Sequence, residues 1–154
     1  MKLYATILAL ALIINMCSMS SCPNVKLQDD FNAARYMGRW YEQLRSRSIP
    51  FQKYDCDGAR YTLNSDGSVA VLNTEYDPNK QQIVKAEGTA WFKGPVGRVK
   101  FSRFMPAGDY RVVSTDYTSY AIVYSCTSFL WWKWEFAWIL TREKNPSDAL
   151  VMKA

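Results

Sequence analysis

The side chains able to do chemistry in this chain are cysteines, tyrosines, tryptophans and carboxylates, because histidine is absent altogether. That absence excludes His-based nucleophilic triads, imidazole acid/base work and any zinc site with a His ligand. No metal and no cofactor is expected. Of the four cysteines, Cys17 falls in a stretch where Lys2 precedes an apolar run from Leu3 to Met16 and the small residues Ser18, Ser20 and Ser21 follow. This reads as a signal peptide over residues 1–20, since the run is short of the ~20 residues that span a bilayer. Cleavage near Ser20 leaves Cys22, Cys56 and Cys126 in an oxidising compartment, an odd number, so one thiol is left over. A lipoprotein acylated on Cys17 is the competing reading, against which Ile14, Asn15 and Met16 put bulk where processing wants small side chains.

The 154 residues carry a formal net charge of +5, spread along the chain rather than gathered into a block. A soluble basic surface, secreted and without nucleic acid as a partner, is the expectation. Length points to one domain over residues 21–154.

The elements that must position these side chains are short alternating runs separated by turn formers, a β pattern with little helix. Eight are counted: Trp40 to Arg47, Gly58 to Asn64, Val69 to Tyr76, Gln82 to Phe92, Arg98 to Arg103, Tyr110 to Thr115, Tyr120 to Thr127 and Lys133 to Arg142. The connections are too tight for parallel crossovers, so each run pairs antiparallel with the next. Alternation alone leaves a closed up-and-down barrel and a flat sandwich both open. After the last run, Asn145 or Ser147 can cap a helix start that reaches the end of the sequence at Ala154.

In a meander the start of strand one, the turn after strand six and the end of strand eight share one end. Trp40, Asp116 and Arg142 then meet, as indole, carboxylate and guanidinium able to stack and to form a charge-assisted hydrogen bond. Ser46 to Asp57, Asp77 to Lys80, Arg103 to Asp109 and Thr127 to Trp132 form the opposite rim. Tyr110 and Val112 share a face, as do Val99 and Phe101, and as do Trp134, Phe136, Trp138 and Leu140. Such aromatic stripes fit a packed core as well as a cavity wall.

Three stretches carry a resemblance. Tyr36-Met37-Gly38-Arg39-Trp40-Tyr41-Glu42, Ser114-Thr115-Asp116-Tyr117 and Trp138-Ile139-Leu140-Thr141-Arg142 resemble, in order and separation, the three motifs of the lipocalins, and the similarity is greatest to the apolipoprotein D-like branch. The resemblance implies an all-β, eight-stranded antiparallel up-and-down barrel that carries a small hydrophobic ligand (lipid, fatty acid, steroid, retinoid or pigment) and is not an enzyme. It places Gly38, Trp40, Thr115, Asp116, Tyr117 and Arg142 at the closed end. It further implies that Tyr61, Phe101, Tyr110 and Trp138 face the cavity, joined by Tyr41 and Gln43, with Met105 at the lip.

The same resemblance implies a Cys22–Cys126 bridge and a free Cys56, whose counterpart elsewhere pairs within a C-terminal tail that this sequence lacks. On that reading the C-terminal helix is truncated and one barrel flank is poorly covered. Two chemical alternatives follow: thiol-dependent isomerisation of a lipid peroxide at Cys56, activated by Lys53 or Arg60, and scavenging of a lipid hydroperoxide by the Met105 thioether. A third is an interaction protein working through its rim. Phe129, Leu130, Trp131 and Trp132 at a hairpin tip suggest contact with a membrane or lipoprotein surface.

Overall fold

The computed structural model describes residues 21–47 and 49–154, apart from the side chains of Cys56 and Asp57. The expected signal peptide and the expected free thiol of Cys56 lie outside what is described. Eight strands run in chain order: β1 (Gly38–Arg45), β2 (Asp55–Leu63), β3 (Val69–Asp77), β4 (Gln82–Lys93), β5 (Val96–Lys100), β6 (Gly108–Thr115), β7 (Tyr120–Phe129) and β8 (Trp132–Thr141). Each pairs antiparallel with its sequence neighbour, and β1 pairs with β8 to close a barrel. Closure settles the choice between barrel and sandwich, and it gives every strand a paired neighbour on each side.

Alternation from the fully buried Trp40 assigns the inner face. Gly38 lies opposite Tyr61 and Trp40 opposite Ala59, Tyr61 opposite Val71, and Val69 opposite Ala90. The period-two reading breaks at bulges between Glu42 and Leu44, Asp55 and Gly58, and Val112 and Ser114. An extra residue reverses the alternation beyond it. On β1 this returns Arg45 to the inner face, opposite Trp138.

Residues before β1 are stitched to the barrel. The Gln28 amide donates to the Val112 carbonyl (3.0 Å), and Thr115 N–H donates to Gln28 Oε1 (2.8 Å). Cys22 is bonded to Cys126 on β7, as the resemblance implied. The one-turn helix α1 (Ala33–Tyr36) follows, capped by Asn32, whose side chain accepts from Arg35 N–H. At the other end α2 (Asp148–Lys153) is capped by Ser147 rather than Asn145, and none of its residues is buried.

Candidate functional site

The closed end is built around Arg142. Its guanidinium lies 3.7 Å above the Trp40 ring centroid and donates to the carbonyls of Arg39 (2.8 Å) and Tyr117 (3.0 Å). Gly38 has φ +99°, and a Cβ there would stand 3.0 Å from Arg142 Nη1, so glycine is required both for backbone conformation and for room. The Trp40 indole N–H donates to the Tyr36 carbonyl (2.9 Å). Asp116 differs from expectation, because its carboxylate accepts from the backbone N–H groups of Thr118, Ser119 and Tyr120 instead of bonding Arg142. Three amides of its own turn are nearer than a guanidinium already committed to carbonyls. Burial pushes this carboxyl up, but those hydrogen bonds outweigh it and hold the pKa below the ordinary value. Thr115 Oγ1 donates to the Tyr120 carbonyl and accepts from Tyr117 N–H, and Tyr117, with φ +69°, presents its hydroxyl to Asn32 N–H.

Above this floor three phenols meet. Tyr110 Oη lies 2.8 Å from Tyr36 Oη and 3.1 Å from Tyr61 Oη. Burial pushes Tyr61 up to about 12 and lifts Tyr36 and Tyr110 well above their ordinary value. The native chain therefore keeps protons that the unfolded chain releases above a pH of about 10. The stability linked to these groups is fully present below that pH and is lost as pH rises towards 12. After a jump to about pH 11, these three are expected to ionise only as the barrel unfolds. Immediate ionisation of all tyrosines, followed by near-ultraviolet absorbance, would contradict this.

Beyond the phenols the inner wall opens. Phe101 lies over Gly88, where an added Cβ would stand 2.8 Å from its ring. The ring is nevertheless 46% exposed, and the inward-facing Val84 and Trp134 are 38% and 48% exposed. A cavity of about 310 Å³ is lined by apolar Phe51, Val84 and Ala86, by Tyr54 and Asn73, and at its mouth by the charged Lys53, Glu75, Asp77, Lys80 and Lys85; Tyr61, Phe101, Tyr110 and Trp138 do not line it. The connection from β1 to β2 folds over part of it: Ile49 is buried and Phe51 meets Phe136 edge-on at 5.5 Å. Gln52 holds this connection in place, accepting from Trp138 Nε1 (2.7 Å) and donating to Glu42 (2.7 Å). Glu42 also pairs with Arg45 at 2.9 Å.

Tyr61, Tyr110, Trp138 and Phe101 thus all lie on the inner face. Tyr41 and Gln43 do not, and this corrects the expectation for both. Strict alternation from Trp40 turns them outward, Tyr41 opposite Thr141 with Arg39 stacked 5.0 Å from its ring. The Gln43 amide donates to Thr141 Oγ1 and to the Glu143 and Lys144 carbonyls outside the barrel. Met105 stands on the connection between β5 and β6 at the open end, 64% exposed.

Sequence reasoning missed Asn73, whose buried Oδ1 has no hydrogen-bond partner, together with Glu42, Arg45 and Gln52. The signal for Asn73 was available, because period two from Val69 and Val71 places Asn73 and Glu75 on the same wall. Phe129, Leu130, Trp131 and Trp132 form the tip of the hairpin from β7 to β8, and all four are well exposed.

Residues 31–154 match the lipocalin-like domain. Apolipoprotein D of Rattus norvegicus is 36% identical over 132 residues, covering 83% of this chain and 68% of that protein. The Cavia porcellus apolipoprotein D is 39% identical over 129 residues, covering 80% and 67%. Among solved structures, insecticyanin of Manduca sexta superposes with a TM-score of 0.75 at 22% identity, covering 87% of this chain and 75% of that one. The cockroach allergen Per a 4 gives 0.69 at 25%, covering 87% and 83%. With its closed eight-stranded barrel and a family match across most of its length, the chain belongs to the lipocalin-like family.

Proposed function

We propose that the chain is a secreted carrier that holds one small hydrophobic molecule in the open half of the barrel and catalyses no reaction on it. The observation that supports this most is the gradient along the inner face. Trp40 at the floor is fully buried, whereas inward-pointing Phe101, Val84 and Trp134 remain exposed toward the open end, Val84 among them lining the cavity. Such apolar surface is costly to leave wet, and covering it contributes roughly 25 cal/mol per Å². Asn73 Oδ1 is an acceptor awaiting a donor, so the ligand has an apolar body and a hydroxyl or amide hydrogen near that side chain. The Phe129 to Trp132 tip serves loading: exposed rings beside Lys133 suit the interface of a lipid surface.

One experiment separates the two parts. A fluorescent polyene alcohol is titrated into the protein, and its transfer from anionic vesicles is timed. Val84→Trp, which fills the cavity without disturbing the packed floor, is expected to weaken affinity roughly tenfold or more. Trp131→Ser with Trp132→Ser is expected to slow transfer several-fold at unchanged affinity. Unchanged affinity in Val84→Trp sinks the carrier reading, and unchanged transfer in the tryptophan pair sinks the loading role.

A further inference from the structure

The outer face of the barrel from β1 to β5 carries a charge distribution that the cavity does not explain. Opposite the inward Trp40, Tyr61, Ala90 and Val99, alternation turns Arg39, Arg60, Lys85, Lys93, Arg98 and Lys100 outward. Six of the chain's 19 Lys and Arg side chains share this face. Among the described Asp and Glu side chains of these five strands two share it, Glu87 on β4 opposite Leu72 and Asp55 at the start of β2 opposite Tyr76. Six cations against these two carboxylates leave the face strongly positive.

Among the described residues none of the six forms an ion pair. Arg39 and Arg60 stand directly opposite each other across β1 and β2, an arrangement that like charges disfavour. Arg39 Nε is buried without a hydrogen-bond partner, while its guanidinium is held between the Tyr41 ring and the backbone at Gly58. An anion seated between the two arginines would relieve the repulsion and supply hydrogen-bond acceptors.

We propose that this face binds a linear sulfated polysaccharide. Same-face residues recur about every 6.7 Å along a strand and neighbouring strands about every 4.8 Å, so the cations form a grid that a chain of repeated sulfates can follow. The surface is the convex outside of a barrel, which a flexible chain can wrap and a flat bilayer touches only along a line. Single-stranded nucleic acid fits it less well, because stacking of consecutive bases needs neighbouring rings. The exposed outer rings Tyr76 and Trp91 are separated by the stretch of β4 from Ile83 to Trp91, roughly 26 Å at about 3.3 Å per residue.

The test uses the full chain on immobilised heparin, with Arg60→Glu, Arg98→Glu and Lys100→Glu combined. The comparison is a triple of equal charge change away from the face, Lys26→Glu, Lys144→Glu and Lys153→Glu. The face variant is expected to lose at least about tenfold in affinity and to show a shallower dependence on salt, since that slope counts the ionic contacts made. The comparison triple is expected to change less than about threefold. Should circular dichroism show the reversal variant misfolded, the same positions changed to Gln are judged by the same criteria. Equal losses in both triples overturn the proposal, as do tighter binding of a single-stranded oligonucleotide or of phosphatidylserine vesicles than of heparin. Cavity titration with the polyene alcohol is unaffected in either case, so this result and that of the carrier reading are independent.

Discussion

Trp40→Ala is expected to lower the unfolding free energy by about 3–5 kcal/mol, the range for truncating a fully buried large aromatic residue. Trp40 is 0% exposed, and three separate terms are lost with its ring. A void opens beneath Tyr36, whose ring centroid lies 5.2 Å away. The Tyr36 carbonyl loses the indole N–H that it accepts. Arg142, half-buried and held over the indole at 3.7 Å, loses the surface that offsets its desolvation, a contact worth about 1–2 kcal/mol when shielded. Burial already draws the Arg142 pKa down, so the guanidinium is sensitive to further loss of partners. Urea unfolding followed by far-ultraviolet circular dichroism measures the sum. Trp40→Phe, which keeps a ring but not the donor, is expected to recover more than half of the loss. If Trp40→Ala costs less than about 1 kcal/mol, the closed end is not the structural keystone described.

The second large effect is expected at the disulfide. Cys22→Ala combined with Cys126→Ala is expected to cost about 2–4 kcal/mol, because the bridge closes a loop with a sequence separation of 104. The loss comes mainly from the freer unfolded chain, with a local part in the native state. Released from Cys126, the segment before α1 is tethered by the Gln28 contacts to Val112 and Thr115 and by Asn32 N–H to the Tyr117 hydroxyl. Hydrogen exchange is therefore expected to speed up at Thr115, whose amide is bonded to the Gln28 side chain, while the β3 to β4 ladder stays protected. Denaturant midpoints for the double variant and for the reduced wild type should agree. A double variant as stable as the oxidised protein would show that the bridge does no more than join two segments already held by packing.

Much of the architecture was legible because β alternation and turn chemistry are local. The eight runs differ from the strands mainly at their ends: β2 starts at Asp55 rather than Gly58, and β5 covers Val96–Lys100 rather than Arg98 to Arg103. The misplacement of Tyr41 and Gln43 has a specific cause. Placing Trp40 in a floor does not fix the phase of β1, whereas Trp40 as an inward residue does, and one inward residue decides the face of its neighbours. Arg45 was invisible for a related reason, since only the bulge after Glu42 returns it to the lumen. Glu42 and Gln52 could not be foreseen as a pair, because their contact depends on how the connection from β1 to β2 folds over the wall.

The eight antiparallel strands and the end they share were thus determined by the sequence itself, while the choice of barrel over sandwich rested on the resemblance and on the β1–β8 pairing. Spacing brought Trp40 and Arg142 to one end, and residue types made their stacking favourable whatever the details of the loops. What only the tertiary structure decided is how the remaining polar groups are distributed among partners. Asp116 serves its own turn instead of Arg142, Tyr36 joins Tyr61 and Tyr110 from a helix outside the strands, and Asn73 is left with an open acceptor. Hydrogen bonds are short-ranged and directional, so their allocation follows from positions resolved to tenths of an ångström. Burial of apolar faces is non-directional and roughly proportional to area, which is why alternation along the chain could report it in advance.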